Sequence, residues 1–136
     1  MNLRRRTFAL PAPDPMARQL ALGRAGLATV FLAAPVPALR AMGADTATAA
    51  RISWLTRMMA VRDGALAVGA LAADRRGGDP RPWLVGGAVS DAVDALVFAQ
   101  ALKQGRLKGV APTMIVPGGI LAATLGFVTA ARLRRP

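Results

Sequence analysis

Six charged residues stand inside otherwise apolar segments of this chain: Arg24, Arg57, Arg62, Asp63, Asp91 and Asp94. A soluble helix turns such residues to a wet face. A membrane helix has no wet face, so the charges must find partners, and they mark either a structural lock or a working site. The faces beside them decide which solvent applies. Leu27, Val30, Phe31 and Leu32 cover most of a turn without a polar stripe. With 54% of the chain apolar, the reading is an all-α, four-helix transmembrane bundle. A soluble four-helix bundle is the rival, because no uncharged run in the first three helices reaches about 18 residues, the usual length of a span.

Turn and cap signals divide the chain. Residues 1–13 form a basic tail, flexible and cytoplasmic, with Arg4, Arg5 and Arg6. The transmembrane domain covers 14–132, and 133–136 form a basic C-terminal tail. Asp14-Pro15 places an acceptor at an N-cap and a proline at the first helical position, so a helix is expected over about 15–34. Pro35 and Pro37 stop it, and Leu39–Gly43 reads as a short external turn or interfacial segment. Asp45 caps a second helix over 46–73. At 1.5 Å per residue that is roughly 42 Å, longer than the hydrocarbon core, so it tilts or projects. Gly77 and Gly78 end it. Asp79-Pro80 repeats the start signal for a third helix over 80–102, with Trp83 at headgroup level. A basic loop precedes the fourth, 110–131, a run with no charge at all, which Pro117-Gly118-Gly119 should bend.

Basic residues set the orientation. With the N-terminus inside, the cytoplasmic face holds Arg4, Arg5, Arg6, Arg18, Arg75, Arg76, Arg81, Arg132, Arg134 and Arg135. The outer face holds only Arg40, Arg51, Lys103, Arg106 and Lys108. Both termini are therefore expected in the cytoplasm. Arg5-Arg6-Thr7-Phe8 resembles a twin-arginine export signature. Pro11, Pro13, Asp14 and Arg24, however, interrupt what should be a clean signal core. The formal net charge of +11 invites a nucleic-acid reading. The basic residues instead flank apolar runs, and no aromatic interleaving provides base stacking, so nucleic acid is not expected as a partner; the lipid bilayer is.

The catalytic alphabet is short. The chain has no cysteine, no histidine, no tyrosine and no glutamate. Thiolate chemistry and histidine, the usual general base and metal ligand, are missing, and seven aspartates are the only carboxylates. Catalytic residues, cofactors and metals are expected to number none, and the protein is read as not an enzyme.

What remains is a polar layer: Arg24, Arg62, Asp63, Asp91 and Asp94. Arg24 lies ten residues after its cap, Asp91 and Asp94 lie twelve and fifteen after theirs, and Arg62 lies eleven before the end of its helix. On helical rise these depths coincide near mid-bilayer. Asp91 and Asp94 share a face, whereas Arg62 and Asp63 diverge by about 100 degrees and address different neighbours. Arg62 is expected to pair with Asp91 or Asp94, and Arg24 with the other aspartate or Asp63. Arg57, nearer the outer end, could snorkel. Three cations and three anions balance.

Arg62-Asp63-Gly64-Ala65-Leu66-Ala67, Trp83-Leu84, Ser90-Asp91-Ala92-Val93-Asp94-Ala95-Leu96 and Gly23-Arg24-x-Gly26 together resemble small four-helix integral membrane proteins of unknown function common in actinobacteria. The resemblance covers about Leu20–Ala131 and implies membrane location and four helices, with no activity. The functional expectation is a small multi-pass protein of the bacterial inner membrane, a non-enzymatic scaffold or accessory subunit, acting as a homodimer or in a larger membrane complex. The alternative is a small solute or proton-coupled transporter using Asp91 and Asp94.

Overall fold

A computed structural model describes residues 14–105 and 110–133, and within them every regular element is a helix. The expected tails over 1–13 and 134–136 and the centre of the basic loop, 106–109, lie outside the described residues. The helices are α1 (Pro15–Ala33), α2 (Pro35–Ala41), α3 (Thr46–Arg75), α4 (Arg81–Lys103) and α5 (Val110–Arg132).

The caps explain these bounds. Asp14 accepts hydrogen bonds from the Met16 and Ala17 amides at 2.9 and 3.0 Å, with Pro15 opening the helix. Asp45 accepts from the Thr48 amide at 2.9 Å. Asp79 differs from the expected cap. Pro80 occupies the N-cap position of α4, and Asp79 instead takes the Arg81 amide at 3.0 Å and clamps the Arg81 guanidinium at 2.6–2.9 Å. α3 closes at Gly77, whose φ of 65° lies in the left-handed region that favours glycine. There the Gly78 amide reaches back to the Ala73 carbonyl at 2.8 Å and the Gly77 amide to Asp74 at 3.1 Å.

The main departure from sequence expectation is α2. The prolines that end α1 also begin a new helix. A residue before proline is pushed out of the α region, and Ala34 sits at φ −136°, ψ 59°. Pro35 then stands at a first helical position, where its missing N–H costs nothing. The axis turns by 113° at this break. Pro117, by contrast, lies inside α5, which continues unbroken as helix from Val110 to Arg132.

Two pairs of helices pack most closely: α1 along α3, and α4 along α5. α3 and α4 connect the pairs, and α2 lies against the first part of α3. The buried positions are small: Ala17, Ala21, Ala28, Ala60, Ala67, Ala88, Ala95 and Ala123 among them. Gly126 stands where an added Cβ would come 2.9 Å from the Ala88 side chain, so α4 and α5 meet nearly backbone to backbone. Large side chains face outward, Leu96, Val68, Leu27, Trp54 and Met58 all being more than 60% exposed. The hydroxyls of Thr29, Thr56 and Thr124 each bond the carbonyl four residues back, so they need no water.

α4 and α5 are long and apolar enough to cross a membrane, and α1 with α2 would count as a third, broken span. α3 is long enough but not apolar enough. Arg51, Arg57, Arg62 and Asp63 interrupt it.

Candidate functional site

α1, α3 and α4 bring Arg24, Arg62, Asp63, Asp91 and Asp94 into one layer. Arg24 projects from the middle of α1 between its two neighbours. Its Nη1 donates to Asp63 Oδ1 on α3 at 2.8 Å, and its Nη2 donates to Asp91 Oδ2 on α4. One guanidinium thus ties three helices. Gly87, one turn before Asp91, makes this reach possible, because a Cβ there would stand 3.0–3.2 Å from the Arg24 guanidinium. The room left by the missing side chain of Gly87 is taken by Arg24.

Arg62 points the other way from α3. Its Nη2 and Nη1 donate to Asp94 Oδ2 and Oδ1 at 2.6 and 3.3 Å, a fork on a carboxylate. Its Nη2 also stands 3.4 Å from Asp63 Oδ1. Its Nε is buried with no hydrogen-bond partner among the described residues, so Arg62 is held by its two Nη groups alone. Asp63 joins the two halves of the network, accepting from both arginines. The side chains of Arg24 and Asp91 are 19% and 16% exposed, and Arg62 is 36% exposed. The Arg24 half is the deeper one.

Arg57 lies outside this layer. Its Nε donates to the Leu32 carbonyl at 3.3 Å. That carbonyl belongs to the last turn of α1, where four acceptors lose their helical partners, and the break before α2 leaves it to a side chain from α3. The balance of three cations and three anions therefore does not hold locally. Two guanidiniums face three carboxylates.

A cavity lies on each side of the layer. The larger, about 690 Å³, opens toward α2 and the start of α3. Asp45, Thr48 and Met42 are near its mouth. Phe31, Ile52, Met59, Phe98 and Ile115 form its walls, and Asp63, Asp91 and Asp94 close its inner end. The smaller, about 270 Å³, lies toward the start of α1 and the end of α3, among Gln19, Leu20, Ala70, Trp83 and Leu84. Asp63 and Asp91 line both. Their carboxylates and Arg24 are the partition between two spaces. The volume of the larger cavity lies in the range of small-molecule pockets, and its walls are mostly apolar with a few polar groups.

Sequence spacing brought the five residues to one depth, but neither cavity was foreseen, since a cavity is set by how far helix pairs splay. The one available signal was the run of small residues on α3, α4 and α5, and it was too common in this chain to locate a void. Among the described residues no group of acidic side chains is arranged to hold a metal ion. No family model, curated protein or solved structure matches this chain.

Proposed function

We propose that the chain is a small multi-pass, non-enzymatic protein of the bacterial inner membrane that carries a solute, proton-coupled, past the Arg24–Asp63–Asp91 partition. The observation that carries this reading is the pair of cavities that share Asp63 and Asp91 from opposite sides. Ionisable residues at mid-depth facing a bundle interior commonly mark a pathway. An ion pair between two vestibules can exchange partners, and a carboxylate released from an arginine can take a proton or a cation.

The membrane part of the proposal rests on the distribution of side-chain size. Small residues inside and large aliphatic residues outside suit lipid, which solvates Leu and Val as well as a core does. α3 completes a four-crossing bundle because Arg24 and Asp94 neutralise its mid-helix charges, lowering the cost that its composition alone would impose. The count of basic loops puts both termini in the cytoplasm. The larger cavity then faces outward, and α2, turned 113° from α1, runs near the outer interface. The Arg62-Asp63 pair and the Asp91-x-x-Asp94 spacing are the grounds for grouping the chain with the four-helix membrane proteins that it resembles.

Proteoliposomes containing the purified protein and a trapped pH-sensitive dye test the proposal. Proton flux under an imposed potential is expected, and it should fall to the protein-free level in Asp91→Asn and Asp94→Asn variants that remain folded. A specific observation favours a second reading: all five residues of the layer are paired, as in a passive lock that holds helix register. In that case the protein is a scaffold or accessory subunit, alone as a homodimer or with a larger partner. Absence of flux together with a stable larger complex on native gels would select it.

A further inference from the structure

The larger cavity has a charge preference of its own. Among the described residues, every charged residue that lines it is an aspartate: Asp45 at the mouth and Asp63, Asp91 and Asp94 at the inner end. This acid is gathered in a chain whose formal net charge is +11. Arg24 and Arg62 reach the inner carboxylates from outside the lining. Two guanidiniums leave one of three negative charges uncompensated, and Arg57 does not cancel it, being held on the Leu32 carbonyl. Asp63 Oδ1 accepts from both arginines and Asp91 Oδ2 from Arg24. The second oxygen of each takes no hydrogen bond from a described residue, and each can accept one.

The walls narrow the class of occupant. Phe31, Phe98, Met59 and Ile52 offer ring faces, a thioether and aliphatic surface. These suit a cation that carries its own apolar substituents. A bare metal ion would need an oxygen shell that hydrocarbon walls cannot supply. An anion would meet the one uncompensated negative charge of the inner carboxylates in surroundings of low dielectric, where repulsion is stronger than in water. We infer that the larger cavity binds an amphipathic organic monocation, an ammonium or phosphonium with aromatic or alkyl groups, with Asp63 and Asp91 as its counter-charge. The inference rests on the reading of this cavity as a solute site.

The experiment uses the full chain in lipid nanodiscs. The protein has no cysteine, so Thr56→Cys introduces a single thiol on the cavity wall with little change of volume. Its labelling by a membrane-impermeant maleimide is followed with time. Tetraphenylphosphonium should slow labelling saturably. Tetraphenylborate has the same shape and the opposite charge, and its half-protecting concentration should be at least about tenfold higher, given charge interactions in low dielectric. Asp45→Asn removes one carboxylate at the mouth and keeps an equally good N-cap. It should raise the tetraphenylphosphonium concentration needed by about two- to fivefold, as expected for one partly solvated charge. If Thr56→Cys is labelled and the borate protects as well as the phosphonium, or neither protects, the charge assignment is overturned while the cavity stays open to another solute. If Thr56→Cys is not labelled at all, the cavity is closed to solutes and both readings fall.

Discussion

Arg24 reaches Asp63 on one neighbour and Asp91 on another, so its removal strands Asp91 and leaves Asp63 with only the 3.4 Å contact to Arg62. Breaking one buried pair costs about 3–5 kcal/mol, much of it the burden of the orphaned charge. Arg62 holds Asp94 in a better fork, but it ties only α3 to α4, whereas Arg24 ties three helices. Arg24→Ala is therefore expected to lower the melting temperature in detergent more than Arg62→Ala. Adding Asp91→Asn to Arg24→Ala should recover part of the loss, because one orphan charge disappears. The ranking fails if Arg62→Ala is the more damaging, or if the double variant is no better than the single. Gly87 belongs to the same account, since the guanidinium occupies the space a larger side chain would need.

At the level of elements, ends are set by local chemistry and breaks by proline. The start of α3 is exposed and depends on one side chain. The Thr48 hydrogen bonds to Asp45, above all, hold its carboxyl below the ordinary 3.8. A depressed carboxylate contributes stability that is complete above its unfolded value and disappears as pH falls through its folded value. The first turn of α3 should accordingly fray only below about pH 4, the ordinary carboxylate range. Hydrogen exchange at the Thr48 amide would report it. Asp45→Asn should remove the pH dependence while keeping the cap, and Asp45→Ala should leave the turn frayed at every pH. A Thr48 amide whose protection in the unmutated protein is flat down to pH 2 would contradict the role given to Asp45. α2 shows the limit of stop signals: Pro35 was legible as an end, and the same residue is also a favoured beginning.

Over the whole molecule, the two close helix pairs are joined through the ion layer and again where α1 and α4 begin and α5 ends, at Ala17, Leu84 and Ala130, and a cavity lies on each side of the layer. The proposed orientation has a direct check. Arg76→Cys, in the turn after α3, is expected to react with an impermeant maleimide only after cells are permeabilised. Gln104→Cys, at the end of α4, is expected to react in intact cells. The reverse pattern would invert the topology and turn the larger cavity toward the cytoplasm. Membrane fractions washed with alkaline carbonate should retain the protein, and release without detergent would end the membrane proposal.

Asp14-Pro15, Asp45 and Gly77 act within a few residues of themselves, so the sequence alone determined where α1 and α3 begin and where α3 ends. Helical rise counted from Asp14, from the end of α3 and from Asp79 is also local, and it put Arg24, Arg62, Asp91 and Asp94 at one depth before any packing was known. It could not choose among partners at that depth. Which aspartate each arginine takes depends on the rotation and approach of neighbouring helices, and these follow from contacts such as Gly126 on Ala88 and Gly87 beneath Arg24. The removal of Arg57 from the layer required the break at Ala34, which frees a carbonyl within its reach. The cavities required α1, α3, α4 and α5 together, since all four line each of them, a property of no single helix. Tertiary structure alone decided these points, because each is a distance between residues far apart in the chain, and composition sets no such distance.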